Sequence, residues 1–284
     1  MTSANQPEEQ GSTTSTSTAA TASAATASAV GTALARLYDL DLVDDPGDLD
    51  LYLALAGRTG GPILELGAGT GRLAVPLAAA EHHVTAVDIE PAMLERARAR
   101  AWNEGPAVVA RLEFVEADLL NLEPNGEPVH RLAFIGLNTL FLLADRDAQQ
   151  RAFRTMANHL APGGLAVADV WLPDADDLAR FDGRLILEYV RTDPETGNLV
   201  SKTAAAEHDA TSGTVELTTV FEEGLPGTAP VRWIRRDRLR LVSPDELRRF
   251  AESAGLEVEI IAGSYDLQGI GPGDDRAIIV AARP

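Results

Sequence analysis

Short apolar segments alternate with helical patterns from about Thr32 onward. The apolar segments predicted as strands are residues 63–66, 84–87, 112–115, 132–137 and 165–170. Helical patterns at residues 73–80 and 91–100 separate the first three strands, and the second of these helices starts with a proline, which the first helical turn tolerates. Such an alternation is typical of a doubly wound α/β fold, in which helices cover both faces of a parallel sheet.

The pattern changes between residues 184 and 241, where apolar segments follow one another without a helix between them. The strands predicted there are residues 184–191, 199–205, 215–221 and 231–241. Turn residues such as Pro226-Gly227 separate them, so we interpret this region as an antiparallel β insert. After the insert, Ser243 and Glu246 predict a capping box for a helix, and strands at 256–261 and 277–282 form a final β-hairpin.

The first 30 residues contain six Ser, seven Thr and eight Ala, with almost no bulky apolar residue. Such a segment buries too little apolar surface to fold alone, so we expect a disordered tail. It has no Lys or Arg, unlike a signal or transit peptide. The predicted organisation is a tail (1–30), a core (31–183), the β insert (184–241) and a C-terminal segment (242–284) that completes the core sheet.

Composition narrows the range of partners. The 284 residues include 24 basic and 43 acidic side chains, which gives a formal charge of −19. This charge repels phosphate backbones and anionic lipids, so we expect neither nucleic acid nor a membrane as a partner. We expect a soluble, cytoplasmic protein. The absence of cysteine excludes disulfides, thiolate catalysis and Cys-based zinc sites, and we assign no metal ligands.

The first predicted strand leads into a glycine-rich turn with the sequence Glu65-Leu66-Gly67-Ala68-Gly69-Thr70-Gly71-Arg72. Glycines let a ligand approach the backbone closely, and the N-terminus of the following helix favours a negative group. A dinucleotide-binding turn has its third glycine where Arg72 stands, so the spacing disfavours NAD. Glu65 adds a carboxylate at the strand end, which suits a cationic ligand.

Two more carboxylates stand at the tips of the next two strands. Asp88 lies 21 residues after Gly67, where a carboxylate can accept both hydroxyls of a ribose. Asp118 follows the third strand and suits a purine amino group. Because the carboxyl ends of parallel strands meet at one edge of the sheet, these tips predict a nucleoside site.

Together, these motifs resemble the class I S-adenosylmethionine-dependent methyltransferases over residues 60–175 and 243–284. The residues that the resemblance assigns to the cofactor are Glu65, Gly67, Ala68, Gly69 and Gly71 of the first motif, Asp88 and Ile89 of the ribose and adenine motif, and Asp118 and Leu119 of the adenine-edge motif. The resemblance implies S-adenosyl-L-methionine as the cofactor. It also implies a Rossmann-like, seven-stranded sheet with an antiparallel last strand.

A looser similarity connects the insert and Tyr38-Asp39 with the aminosugar N-methyltransferases, in which an equivalent tyrosine reaches the cofactor. It implies a cofactor contact for Tyr38. The resemblance to the class I methyltransferases implies that the insert forms a lid or the surface of a homodimer. Met93, on the helix after Asp88, and Asn138, after the fourth strand, complete the predicted cofactor contacts.

Candidate catalytic groups follow from the same edge of the sheet. Asp169, at the end of the fifth strand, and Tyr265, between the last two strands, are the candidates for taking a proton from an acceptor. The histidines that precede strands are expected at the opposite edge, away from the ligand; they are His82, His83, His130 and His159.

The function predicted from these residues is methyl transfer to a nitrogen or oxygen of a small molecule. In-line displacement at a sulfonium depends on alignment and on exclusion of water, so a strong base is optional. Two alternatives stay open at this point: an NAD-linked oxidoreductase, and a non-catalytic cofactor-binding protein with the same fold.

Overall fold

A computed structural model describes residues 14–44, 46–143 and 145–284. Its strands are β1 (Ile63–Leu66), β2 (Val84–Asp88), β3 (Leu112–Glu116), β4 (His130–Ile135), β5 (Leu160–Trp171), β6 (Ile186–Thr192), β7 (Leu199–Asp209), β8 (Thr214–Gly224), β9 (Val231–Arg240), β10 (Glu257–Ala262) and β11 (Arg276–Ala282). Its α-helices are α1 (Thr14–Asp41), α2 (Leu49–Thr59), α3 (Ala74–Ala79), α4 (Pro91–Glu104), α5 (Pro106–Val109), α6 (Arg146–His159), α7 (Ala175–Arg180) and α8 (Pro244–Ser253). Short 3₁₀ helices span Leu119–Asn121 and Thr139–Leu142.

Seven strands form the main sheet, in the order β10-β11-β5-β4-β1-β2-β3. The strands from β1 to β5 pair in parallel, whereas β11 is antiparallel to both β5 and β10. This sheet confirms the predicted Rossmann-like fold with an antiparallel last strand. The order places β1 between β2 and β4, so its carboxyl end lies at the centre of the functional edge.

Apolar side chains fill the space between the main sheet and the helices on both of its faces. On β1, Leu64 and Leu66 enter the core on one face, while Ile63 enters the core on the other. The predicted C-terminal helix is confirmed as α8, which has the Ser243–Glu246 capping box and adds Phe250 to the first of these cores. The strand predicted at 132–137 ends earlier, at Ile135 of β4.

The insert folds as a separate antiparallel sheet, β6-β7-β8-β9, which confirms the predicted run of consecutive strands. Strands β7 and β8 are longer than predicted. They pair over their whole length, from Leu199 opposite Gly224 to Asp209 opposite Thr214. None of the helices in the described parts of the chain is long and apolar enough to cross a membrane.

Helix α1 includes part of the tail predicted for residues 1–30. It runs from Thr14 to Asp41, straight through the predicted domain boundary; residues 1–13 of the predicted tail lie outside the described residues. Alanine has the highest intrinsic helix propensity, and composition arguments for disorder give it too little weight. Burial also contributes, because Leu37 and Leu40 pack against Phe221 of the insert sheet.

Candidate functional site

The carboxyl ends of β1, β2 and β3 open into a cavity of about 520 Å³, which we call the first cavity. Eight of the residues predicted to bind the cofactor line it: Tyr38, Gly67, Gly69, Asp88, Ile89, Met93, Asp118 and Leu119. Four others do not belong to its lining: Glu65, Ala68, Gly71 and Asn138. The structure therefore brings the strand-tip residues together around the first cavity, whereas these four residues are not part of its lining.

Backbone hydrogen bonds hold the glycine-rich turn against β2. The amides of Gly67 and Ala68 donate to the carbonyl oxygen of Val87 at 2.8 and 2.9 Å. Gly67 has a φ of +79° and Gly69 a φ of +54°, a region that favours glycine. A Cβ on Gly67 would overlap Thr139, and one on Gly69 would enter the space 3.7 Å from the ring of Tyr38.

Gly71, which lies outside the lining of the first cavity, has a packing role. A Cβ at this position would lie 3.0 Å from the Cβ of Ala97 on α4 and 3.1 Å from Val75. Its φ is +75°, which also favours glycine. Gly71 therefore allows α4 to approach the turn and lies behind the cavity wall.

The carboxylates of Asp88 and Asp118 are fixed in orientation before any ligand binds. Asp88 accepts hydrogen bonds from the amides of Gly69 at 2.7 Å and Glu90 at 2.9 Å, one on each oxygen. Asp118 accepts from the amide of Leu120 at 2.9 Å and from the side chain of Asn121 at 2.8 Å. Each oxygen has a second lone pair, so both groups can still accept hydrogen bonds from a ligand in the cavity.

Glu65 is a buried carboxyl directly behind the glycine-rich turn. Its side chain is almost inaccessible, and its Oε2 atom has no hydrogen-bond partner among the described residues. Burial raises the pKa of Glu65 to about 8, although the positive charge of Arg72 acts in the opposite direction. Arg72 cannot fully compensate, because Asp48 holds its guanidinium in two hydrogen bonds of 2.6 Å each.

Helix α1 closes the cavity beside the turn. Tyr38 faces Gly69, and burial raises the pKa of its hydroxyl to about 12, so it is neutral at physiological pH. The next residue, Asp39, accepts hydrogen bonds from Thr70 at 2.5 Å and from Arg96 at 2.7 Å. Asp39 thus attaches α1 to both the turn and α4, which fixes the position of the tyrosine.

Sequence reasoning missed Arg235 and Asp237, which line the first cavity from β9 of the insert sheet. The Nε atom of Arg235 lies 3.0 Å from Oδ1 of Asp237. Among the described residues of the lining, Arg235 is the only cation. The signal was the alternation along β9, where the odd positions from Trp233 to Leu239 are partly buried and the even positions from Arg232 to Arg238 are exposed.

Asp169 and Tyr265, the predicted catalytic groups, lie outside the lining of the first cavity. Asp169 is fully buried, where its carboxylate accepts hydrogen bonds from Arg276 at 2.6 Å and from the hydroxyl of Tyr265 at 3.1 Å. Burial raises the pKa of Asp169, and Arg276 counteracts that shift. Its full burial outside the cavity lining and its ion pair with Arg276 support a structural role for Asp169.

Asn138, which lies outside the lining of the first cavity, makes hydrogen bonds that shape the turn after β4. Its side-chain oxygen accepts a hydrogen bond of 2.6 Å from the amide of Trp171, and its own amide donates to the carbonyl oxygen of Asp169. Leu137 and Asn138 both have positive φ angles, +46° and +65°. The result is a sharp turn after β4, which directs the 3₁₀ helix Thr139–Leu142 toward the cavity.

Comparison with known proteins relates this site to a known family. A family model described as a methyltransferase domain matches residues 63–164, which contain the glycine-rich turn, Asp88 and Asp118. Over 211 residues the chain is 28% identical to the cypemycin N-terminal methyltransferase of a Streptomyces species, covering 74% of this chain and 77% of that protein. These matches identify a methyltransferase domain at residues 63–164 and support a class I S-adenosylmethionine-dependent methyltransferase.

Solved structures show that the methyltransferase fold extends over nearly the whole chain. The CcbJ methyltransferase of Streptomyces caelestis superposes with a TM-score of 0.70 at 24% identity, covering 85% of this chain and 97% of that one. The sugar N-methyltransferase KedS8 of Streptoalloteichus superposes with a TM-score of 0.65 at 23% identity, covering 87% and 92%. At these identities the likeness concerns the fold alone.

The residues of the first cavity fit S-adenosylmethionine. Carboxylates with free lone pairs stand at the tips of β2 and β3, where hydroxyl and amino groups need acceptors. The turn has no side chains at Gly67 and Gly69, so it leaves room beside Tyr38. Arg235 provides a positive group for a carboxylate, and the buried carboxyl of Glu65 lies behind the turn with one unpartnered oxygen.

We predict that Glu65 makes the ligand-free methyltransferase less stable as the pH rises. With a pKa of about 8 in the folded protein and an ordinary value of 4.5, the carboxyl holds a proton in the native state that the unfolded chain has lost. The unfolding free energy should therefore fall between pH 5 and pH 8. Urea unfolding across this range should show a smaller fall for Glu65→Gln.

The matched control is Glu95→Gln on the exposed face of α4. It should retain the pH dependence of the natural protein. An equal slope in Glu65→Gln and the natural protein would contradict the assignment of this dependence to Glu65.

Proposed function

We propose that this methyltransferase transfers a methyl group to a nitrogen or an oxygen of a small molecule. The observation that supports this most directly is the concave shape of the first cavity, which has walls from the main sheet, from α1 and from β9 of the insert sheet. A concave site of about 520 Å³ suits a small acceptor better than the face of a macromolecule. The formal charge of −19 also disfavours nucleic acid.

The names of related proteins support the same class of acceptor. One relative is named for methylation of the N-terminus of cypemycin, and one structural neighbour is named as a sugar N-methyltransferase. Another neighbour is described as an amino pentose methyltransferase. These names favour an amine acceptor, and oxygen is the second candidate.

In this proposal the two ends of the first cavity bind different parts of the cofactor. Asp88 would accept hydrogen bonds from the ribose hydroxyls, while Asp118 and Leu119 would contact the adenine. Tyr38 and Gly69 would lie beside the amino-acid portion. When bound, S-adenosylmethionine supplies a methyl group activated by a sulfonium.

The protein's contribution to the reaction is alignment and exclusion of water. Leu142 and Leu143, which follow the turn after β4, give the cavity an apolar wall opposite the glycines. An apolar wall removes water from the path of the attacking atom, and a fixed cavity holds the acceptor in line. An amine that arrives neutral needs no general base, which agrees with the burial of Asp169 outside the cavity lining.

The test of this function has two stages. Isothermal titration should first show binding of S-adenosylhomocysteine, the product of the cofactor. Purified protein with radiolabelled S-adenosylmethionine should then label members of a panel of small primary amines and alcohols. Absence of binding by folded protein would overturn the cofactor assignment, and binding without transfer to any member would overturn the proposed acceptor class.

We predict that Asp88→Ala weakens binding of S-adenosylhomocysteine by about 1–3 kcal/mol, because charge-assisted hydrogen bonds to the ribose are lost. This corresponds to about a 5- to 150-fold higher Kd. The control is Glu95→Ala, which removes the same charge from the exposed face of α4. Equal affinities in the two variants would contradict the ribose assignment.

We also predict that Arg235 binds the α-carboxylate of the cofactor. Its positive charge lowers the pKa of Tyr38, so it lies at the Tyr38 end of the cavity, and the α-carboxylate is the only anionic group of the cofactor. Arg235→Gln should lower the affinity for S-adenosylhomocysteine about tenfold, because one charge-assisted hydrogen bond is lost. Methylthioadenosine, which has no amino-acid portion, should bind the variant and the natural protein equally.

The control for this prediction is the neighbouring Arg236→Gln, on the exposed face of β9. It should leave both affinities unchanged. Equal losses for the two ligands in Arg235→Gln would show that the arginine shapes the cavity without contacting the carboxylate.

A further inference from the structure

A second cavity, of about 310 Å³, lies between the insert sheet and the end of β5. Its walls include Phe141, Trp171, Phe181, Leu217, Leu239 and Leu241. Nothing in the proposed use of the first cavity accounts for it. We propose that the second cavity binds the apolar body of the methyl acceptor, a role that rests on the proposed function.

The two cavities lie next to each other along the same two walls. On β9, Arg235 and Asp237 line the first cavity, and Leu239, the next residue on the same face, lines the second together with Leu241, which follows the strand. Alternate residues of a strand are about 6.8 Å apart. The second cavity thus begins about one side chain beyond Asp237, which lies at the border between them.

The 3₁₀ helix Thr139–Leu142 forms another wall and also contributes residues to both cavities. Thr139 and Leu142 line the first cavity, whereas Phe141 between them lines the second. In this proposal a single ligand extends past the helix, with its reacting atom in the first cavity and its body in the second.

The walls of the second cavity select an apolar ligand. The rings of Trp171 and Phe181 lie 6.0 Å apart, centroid to centroid, and Leu217, Leu239 and Leu241 add further apolar surface to the walls. Burial of apolar ligand surface here gains about 25 cal/mol per Å². Aromatic or branched aliphatic bodies fit such a surface, and strongly hydrated ones do not.

The charged residues at this cavity are already paired. Arg180 lies 3.5 Å from Asp177, Arg184 lies 2.7 Å from Asp182, and Glu188 lies 2.7 Å from Lys202. Because each charge is balanced by its neighbour, none requires an ion from the ligand. The acceptor class that follows is an amphipathic molecule with an uncharged apolar body and one nitrogen or oxygen at its end.

The test uses N-phenyl-1-naphthylamine, an uncharged apolar fluorophore, titrated into protein saturated with S-adenosylhomocysteine. Ala206 lines the second cavity from β7, and Ala206→Trp fills it. The control is Ala205→Trp, one residue along the same strand and on its other face. We expect saturable binding that weakens at least tenfold in Ala206→Trp and stays unchanged in Ala205→Trp.

A second measurement does not depend on filling the cavity. The probe should quench the fluorescence of Trp171 through energy transfer, so Trp171→Phe should lose most of the quenching. Trp102→Phe, at a side chain that is 77% exposed on α4, should keep it. Absence of saturable binding, or quenching and affinity that do not respond to Trp171→Phe and Ala206→Trp, would overturn the proposal.

The affinity for S-adenosylhomocysteine separates this proposal from the proposed function. If every variant binds it as the natural protein does, a negative result with the probe overturns only the acceptor site. If the natural protein itself does not bind it, the proposed function fails.

Discussion

The placement of helix α1 between the two sheets is the constraint on which the site depends. On one side, Asp39 accepts hydrogen bonds from Thr70 and Arg96 and holds the helix against the main sheet's functional edge. On the other side, Arg36 forms a 2.6 Å ion pair with Glu223 and a second ion pair with Asp193 of the insert. Because these pairs are largely buried, removal of one partner would leave a buried charge and cost several kcal/mol. The helix therefore sets the distance between the glycine-rich turn and β9, and this distance defines the first cavity.

The charges around the first cavity follow from the ligand it holds. Its lining carries four carboxylates, those of Asp88, Glu90, Asp118 and Asp237, but only one cation among the described residues, Arg235. A ligand with a sulfonium, an ammonium and one carboxylate matches this balance. The raised pKa of Glu65 has a related cause. A buried carboxyl without a full partner holds a proton until a cation approaches, so this site also favours a positively charged ligand.

The sequence was sufficient for the parts of the site that come from neighbouring strands. Asp88 and Asp118 could be placed together because parallel strands end at one edge, and the register that pairs Asp88 with Glu116 brings the two tips side by side. Arg235 and Asp237 could not be placed in this way. They reach the cavity only because the insert sheet folds back over α1, and no local pattern encodes that docking.

For Asp169, the sequence predicted the location of the side chain but not its partner. Its position at the end of β5 was predicted correctly, but its partner Arg276 comes 107 residues later, on the antiparallel last strand. A strand-end rule gives the location of a carboxylate and says nothing about what neutralises it. Similarly, the alanine-rich composition of α1 favours a prediction of disorder, because the sequence does not show that Leu37 packs against the insert sheet.

The division of the site between two parts of the chain has a consequence for specificity. The residues proposed to bind the nucleoside, Asp88 and Asp118, lie within residues 63–164, the segment matched by the methyltransferase family model. The proposed acceptor walls from β7 and β9 lie outside that segment. A change such as a larger side chain at Leu239 would alter the second cavity without touching a hydrogen bond of the glycine-rich turn. The acceptor can thus vary through the inner face of one sheet, while the alignment of the methyl donor stays fixed by the other.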